Sequence, residues 1–467
     1  MSRHRLAALV LATLAVTAPS LEPAAASAAP TAVIAMLPQA SHGNVARTPI
    51  LDFLDGRGAL SIGLSGATQG SYGASQALLD ITQGTRTSSA AYNPQVPTKL
   101  TFSTDGRGGG LMLGWPDILT RAGNAPAEIH PGGLAAAVPG GIAYAGVLGR
   151  DQQEATIAAS GPFGRIPVVS IGKTDDMPAR IRTLLTGHRV VVAGLPAADK
   201  GAAVLDKLIA ARPQDELIIV MQTPPPAGSP QLLPTGVVGL GSPTGLTSKT
   251  THQPGLIAGI DVMPTVLTHI GVKVPKDVKG QPIENAGPRN ADALRNLAQR
   301  LRVIGSRRFP ALETLLAGWL AIVLVGGVVA DRRGVRWAMR VGGLAFCWLL
   351  SVLLVAAALA PSKGTELAII TGLCFALAML TDRLVRWPRA LIVPCAVTIL
   401  AYTVDLARGS DLIVRSLLGP NPRFGSRFYG LGNELEASLP VLLLVAVAVL
   451  LQGRGRSRAG AAIFGGV

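Results

Sequence analysis

The sequence predicts two units in series: an exported α/β sandwich, then an all-α transmembrane helix bundle. Three observations carry this. Short apolar, β-rich runs alternate with helix-patterned stretches from about Thr31 to Ile283. From about residue 311 onward, long apolar runs are punctuated by clustered arginines. The chain opens on MSRHR, the apolar run Leu6–Pro19 and the small-x-small triplet Ala26-Ser27-Ala28, the pattern of a secretory signal.

Taken in order, residues 1–28 are expected to be that signal, cleaved after Ala28. Their apolar run is too short to cross a bilayer comfortably, although a short anchor is the competing reading. Residues 29–283 are expected to form the exported domain. Its candidate strands are Ala32–Leu37, Ile166–Ile171, Val190–Ala193, Glu216–Met221 and Gly236–Leu240. Its candidate helices are Thr48–Leu54, Met177–Leu185, Asp199–Ala211 and Asp261–Ile270. Strands that are apolar throughout and separated by helices imply a mainly parallel sheet covered on both faces. In the last helix Asp261 reads as the N-cap, Pro264 sits in the first turn and Gly271 follows the end.

Lys276–Ala291 is rich in Pro, Gly, Asn and Lys and reads as a linker. Ala291–Arg307 is a basic helical stretch, to be laid along lipid headgroups or solvated as a connector; together 284–310 join the two units. About five spans follow in 311–467: Ala311–Ala330, Val341–Ala360, Glu366–Leu380, Ala390–Val404 and Ala437–Leu451. Ala461–Val467 reads as the start of a sixth. Arginines follow the first, third and fifth spans, which places those loops in the cytoplasm. Pro361–Thr365 and Asp405–Glu436 then face outside, on the same side as the exported domain.

The formal charge is +15, which alone would suggest nucleic acid. The arginines cluster at the ends of apolar runs instead, and aromatic residues are 4% of the chain, too few for base-stacking platforms. The expected partner is therefore the lipid bilayer, with no nucleic acid. Cys347, Cys374 and Cys395 all lie in the later apolar runs. The exported part thus has no disulfide and relies on a packed core, and no Cys/His zinc spacing occurs.

One segment carries a family resemblance. Gly245–Gly280, GLTSKTTHQPGLIAGIDVMPTVLTHIGVKVPKDVKG, combines the Ser/Thr-rich Thr247–Thr251 with Asp261, Pro264, Thr265, Leu267, Gly271 and Val272. It resembles the closing segment of the catalytic domain in the alkaline phosphatase superfamily, which includes sulfatases and cofactor-independent phosphoglycerate mutases. The resemblance extends over about residues 31–283. It implies an αβα sandwich and metal-assisted hydrolysis or transfer of phosphate or sulfate esters, with zinc or calcium as cofactor. The family's landmarks depart here. The first strand runs into Pro38 and Gln39 where an Asp is usual. ELIIVM is followed by Gln222, Thr223 and Pro224–Pro226 where an Asp-His pair is usual. The nucleophile would lie in Gly70–Ser75, which makes Ser71 and Ser75 the catalytic candidates; each equally fits a turn. His42, His252 and His269 read as a loop or packed histidine as readily as a ligand. Ser103–Gly110, STDGRGGG, lacks the Gly-Lys-Ser/Thr ending of a phosphate loop and reads as a loop. No cofactor is expected, with zinc or calcium reserved for the case that the domain is active.

The second notable segment is Gly419–Glu436, GPNPRFGSRFYGLGNELE. Arg423, Arg427, Tyr429, Asn433, Glu434 and Glu436 lead directly into a span, where ionisable groups are costly and tend to be functional. The alternative is an interfacial anchor, with Phe424, Phe428 and Tyr429 at headgroup depth. The expectation is a multi-pass cell-membrane protein with a large extracytoplasmic domain. That domain would bind an envelope polymer or another membrane protein without catalysis. The alternatives are a membrane-tethered ester hydrolase or transferase, and a transporter or envelope-polymer enzyme with its site at 419–436.

Overall fold

A computed structural model describes residues 29–38, 41–42, 45–46, 50–66, 73–87, 91–94, 99–149, 153–224, 232–425 and 427–454. The signal pattern, Gln39, Ser71, Pro225, Pro226 and Ala461–Val467 lie outside these residues, as does the side chain of His42.

Among the described residues, eight strands build the main sheet: β1 Thr31–Leu37, β2 Ser61–Gly66, β3 Ala143–Val147, β4 Val169–Gly172, β5 Val190–Gly194, β6 Glu216–Gln222, β7 Leu232–Val238 and β8 Leu256–Ala258. Their spatial order is β8-β2-β7-β6-β1-β5-β3-β4. β1 lies at the centre, parallel to β5 and β6, with Ala32 opposite both Val190 and Leu217. β7 runs antiparallel to β6 and to β2, so the sheet is mixed. β2 and β8 are parallel to each other and share the direction of β1. The carboxyl ends of β1, β2, β3, β5, β6 and β8 therefore lie along one edge.

The helices of this domain are α1 Ile50–Asp55, α2 Ala74–Gln83, α3 Trp115–Gly123, α4 Gly133–Ala137, α5 Met177–Gly187, α6 Ala198–Ala210 and α7 Val262–His269. The central strands are buried on both faces, as their unbroken apolar runs require. The expected strand Ile166–Ile171 is split. Arg165–Ile166 joins a small antiparallel sheet with Gly110–Leu113, while Val169–Gly172 pairs with β3, and Pro167 stands between them without an N–H to donate. The strand expected over Gly236–Leu240 is Leu232–Val238 and ends before Gly239, whose φ is 110°.

The stretch read as a linker is tied down. Ile283–Asn285 pairs with Leu246–Ser248. The Arg289 guanidinium donates to the carbonyls of Leu54, Asp55, Arg57 and Leu60 and to the Asp55 carboxylate. Asn290 then caps α8 (Ala291–Leu359), its Oδ1 accepting from Ala293 N at 2.9 Å. Leu294, Leu297, Leu301 and Ile304 are buried at helical spacing, so one face of this stretch packs against the rest of the protein while the other is exposed.

α8 bends back on itself at Ala330 and Asp331, the latter at φ 49°. Its two arms run side by side. Trp319 Nε1 donates to Ala338 O at 3.2 Å, and Gly334 lies against Gly326, where a Cβ would stand 1.9 Å from the carbonyl oxygen. Next come α9 (Lys363–Leu384), α10 (Ile392–Ala407), the short α11 (Asp411–Arg415) and α12 (Asn433–Arg454). Among the described residues, four helical stretches are long and apolar enough to cross a membrane: α8, α9, Arg389–Ala407, which contains α10, and Asn433–Gln452 of α12. The five expected spans fall on the two arms of α8 and on the other three. One apolar cluster runs without a break from Val33, Leu64 and Leu256 on the sheet, through Leu294 and Leu301, to Leu344 and Leu353 in the helical region. The two units share a core.

Candidate functional site

The helical region meets the α/β domain at the carboxyl ends of β2 and β8. In open α/β sheets this edge is where ligands usually bind. Asp261 organises it. Its carboxylate accepts from Ala258 N at 2.8 Å, Gln281 N at 3.0 Å and the Thr250 hydroxyl. Asp261 stands at the expected N-cap position of α7, but its side chain reaches back to Ala258 instead of forward into the helix. Burial pushes the Asp261 carboxyl above the usual range, against the pull of the Ser248 and Thr250 hydroxyls and the Ala258 and Gln281 amides. Thr265 repeats the theme: its hydroxyl donates to Asp261 O and accepts from Ile283 N. The D-x-x-P-T residues Asp261 and Thr265 therefore bind backbone and hold this corner together.

Beside them lies Arg86. Burial lowers its pKa, while the charges of Asp80 and Asp261 act in the opposite sense. Its guanidinium carbon stands 4.8 Å from the centre of the Phe428 ring. Phe428, 2% exposed, packs with Ala258 and Ile260 and against Gly66.

The segment that delivers Phe428 is anchored throughout. Gln253 Nε2 donates to Gly409 O, Arg300 Nε to Arg415 O, and Arg308 Nε to Leu417 O. Asn421 Nδ2 donates to Leu301 O, and Asn421 Oδ1 accepts from Arg423 N. Arg423 donates to Arg302 O at 3.3 Å, and burial lowers its pKa. Arg427 pairs with Glu436 at 2.6 Å and also donates to Leu431 O. Glu434 pairs with Arg308 at 2.7 Å. The two glutamates are two residues apart and so face different partners. Tyr429 meets the His252 ring edge-on at 4.7 Å between centroids. Asn433 is exposed at the start of α12.

A buried charge cluster lies next to this segment. Glu366 is fully buried and takes Arg300 and Arg307 on its two oxygens, each at 2.7 Å. Arg300 Nη1 is buried without a hydrogen-bond partner among the described residues. The sequence signal for this triad is an acidic residue opening an apolar span after a basic helix. Its partners, 59 and 66 residues away, leave no local pattern.

Among the described residues, the remaining candidates do not converge. Ser75 is half-buried near the start of α2. At the ends of β1 and β6, Thr223 N donates to Leu37 O, while Gln222 and Pro224 are buried. His269 lies 3.1 Å from Asp215 O, at the end of α7. Ser103–Gly110 is the turn of a hairpin joining Thr101–Thr104 to Gly110–Leu113. Asp105 Oδ1 there accepts from the amides of Arg107 and Gly109, bonds that hold its carboxyl below the usual range. The amides that could cradle a phosphate already hold a carboxylate. Among the described residues, no three His, Cys, Asp or Glu side chains gather to hold a metal ion. Pro38, Gln222, Thr223 and Pro224 supply neither carboxylate nor imidazole.

No family model and no curated protein matches the chain. It is similar to the solved structure of the PH0037 protein from Pyrococcus horikoshii over 53% of this chain and 98% of that one, at 10% identity and a TM-score of 0.27.

Proposed function

We propose that the chain is a multi-pass membrane protein of the cell envelope. Its α/β domain lies outside the cytoplasmic membrane, has the architecture of the alkaline phosphatase superfamily, and works as a binding module rather than a hydrolase. Its ligand is an envelope component or a partner protein. The observation that carries this reading is the seat of Phe428. Ester chemistry in this architecture belongs at the carboxyl edge of the sheet, and at the β2 and β8 end of that edge the ring fills the space beside Gly66. The cation next to it, Arg86, faces the charges of Asp80 and Asp261. A phosphoryl transition state needs metal or clustered cations, which this corner does not assemble from its described residues. The arginine clusters after alternate apolar runs support the orientation.

Two assays test the reading on the full chain. Phosphate and sulfate monoesters, with zinc or calcium added, are expected to be hydrolysed at the background rate. Turnover abolished by Ser71→Ala or Ser75→Ala would overturn the binding role. An impermeant thiol reagent on intact cells is expected to label Gln214→Cys and spare Arg336→Cys. The reverse would overturn the orientation.

A further inference from the structure

We propose that the helical region holds a lipid with an anionic phosphate headgroup, its chain lying between α8, α9 and α10 and its headgroup on Arg408. This rests on the reading of those helices as membrane spans.

A groove of about 570 Å³ opens between these helices, lined by Trp348, Val352, Leu373, Leu377, Val397 and Ala401. The polar atoms of Trp348 and Ser351 are satisfied from within the protein. Ser351 and Thr398 share a hydrogen bond of 2.6 Å, and Trp348 Nε1 donates to Thr381 Oγ1 at 3.1 Å. What remains is hydrocarbon surface, suited to an acyl chain and hostile to a polar guest.

The groove ends at Asp405 and Arg408. The Asp405 carboxylate is engaged by the amides of Leu412 and Ile413. Arg408 is exposed, and its guanidinium has no hydrogen bond or ion pair among the described residues. Arg408 also lines a second cavity, of about 240 Å³, between the α/β domain and α11, together with Gln253, Asn290, Asp411 and Arg415. Asp411 there is paired with Arg415 at 3.1 Å, which leaves the Arg408 guanidinium without an ion pair among the described residues. An apolar slot and a polar cleft thus meet at a free guanidinium. That is the outline of an amphiphile with an anionic head. A guanidinium grips phosphate oxygens in pairs, and a zwitterionic head would bring its own cation against Arg408.

Trp348 supplies the probe. The full chain is reconstituted in phosphatidylcholine vesicles that contain a minor fraction of chain-brominated phosphatidylglycerol or chain-brominated phosphatidylcholine. The Trp348 signal is taken as the difference between wild type and Trp348→Phe. Brominated phosphatidylglycerol is expected to quench it several-fold more strongly at equal mole fraction. Arg408→Gln should bring that quenching down to the phosphatidylcholine level, with Arg408→Lys intermediate. Ala401→Phe, which fills the groove, should reduce quenching by both lipids. Equal quenching by the two headgroups, a preference that survives Arg408→Gln, or full quenching in Ala401→Phe would each overturn the proposal. Protein that does not insert into the vesicles at all would refute the membrane reading instead.

Discussion

Phe428 stands so close to Gly66 that a Cβ on the glycine would lie 2.7 Å from ring atom Cε1. The end of β2 is glycine because an aromatic ring from a segment more than 350 residues later is seated on it. Phe428→Ala should therefore cost about 3–5 kcal/mol, as emptying a filled aromatic site does. Gly66→Ala should cost about 1–3 kcal/mol by overpacking. Thermal unfolding of the full chain in detergent measures both. A Phe428→Ala protein within about 0.5 kcal/mol of wild type would mean that the ring is not seated there.

Glu366 pairs with two guanidiniums, the buried Arg300 and the half-buried Arg307. Glu366→Ala should leave both uncompensated and cost about 3–5 kcal/mol. Arg307→Met keeps the Arg300–Glu366 pair intact and should be milder. The two variants are compared by the same melts and by the yield of folded protein. Equal stability of the two would contradict the role assigned to Glu366.

The pairs Arg308–Glu434 and Arg427–Glu436 are partly exposed to solvent. A double-mutant cycle on each should return a coupling of about 0.2–1 kcal/mol, shrinking as salt is raised. Values well above this would mean that the pairs are shielded from solvent. With couplings in the predicted range, a loss of function in Glu434→Ala or Arg427→Ala, with insertion intact, is not a stability effect.

Asp261 makes stability depend on pH. Its folded-state pKa is raised by burial, so the folded protein holds the proton longer than the unfolded chain does. Its contribution is fully present below the usual carboxylate range and falls as pH rises through the raised value. Melting temperatures of wild type and Asp261→Asn, followed upward from about pH 4, should show this downward component in the wild type and not in the variant. Parallel curves would contradict the assignment.

The central strands could be read directly from the chain. β1, β5 and β6 are buried on both faces, and their sequences are unbroken apolar runs. β2, with the sequence SIGLSG, escaped because its positions are small for reasons of packing. A Cβ on Gly63 would lie 2.9 Å from Leu246 Cβ, and Gly66 faces Phe428. β8 is three residues long, too short to show a pattern. The expected linker lacked apolar periodicity because Arg289 and one three-residue strand hold it, and neither leaves a repeat. Segment 419–436 was recognisable by its charges at the start of a span. Its partners were not, since Arg308 and Glu434 are 126 residues apart.

The central claim is that segment 419–436 is docked on the carboxyl edge of the α/β sheet. The contact between His252 and Tyr429 reports on it most directly. Cys347, Cys374 and Cys395 are replaced by alanine, and His252→Cys and Tyr429→Cys are introduced together. Membranes carrying this protein are treated with a short bis-methanethiosulfonate. After limited proteolysis, the fragments bearing residues 252 and 429 are expected to remain joined until reduced. Fragments that separate without reduction, although each cysteine reacts singly with a monofunctional reagent, would contradict the docking.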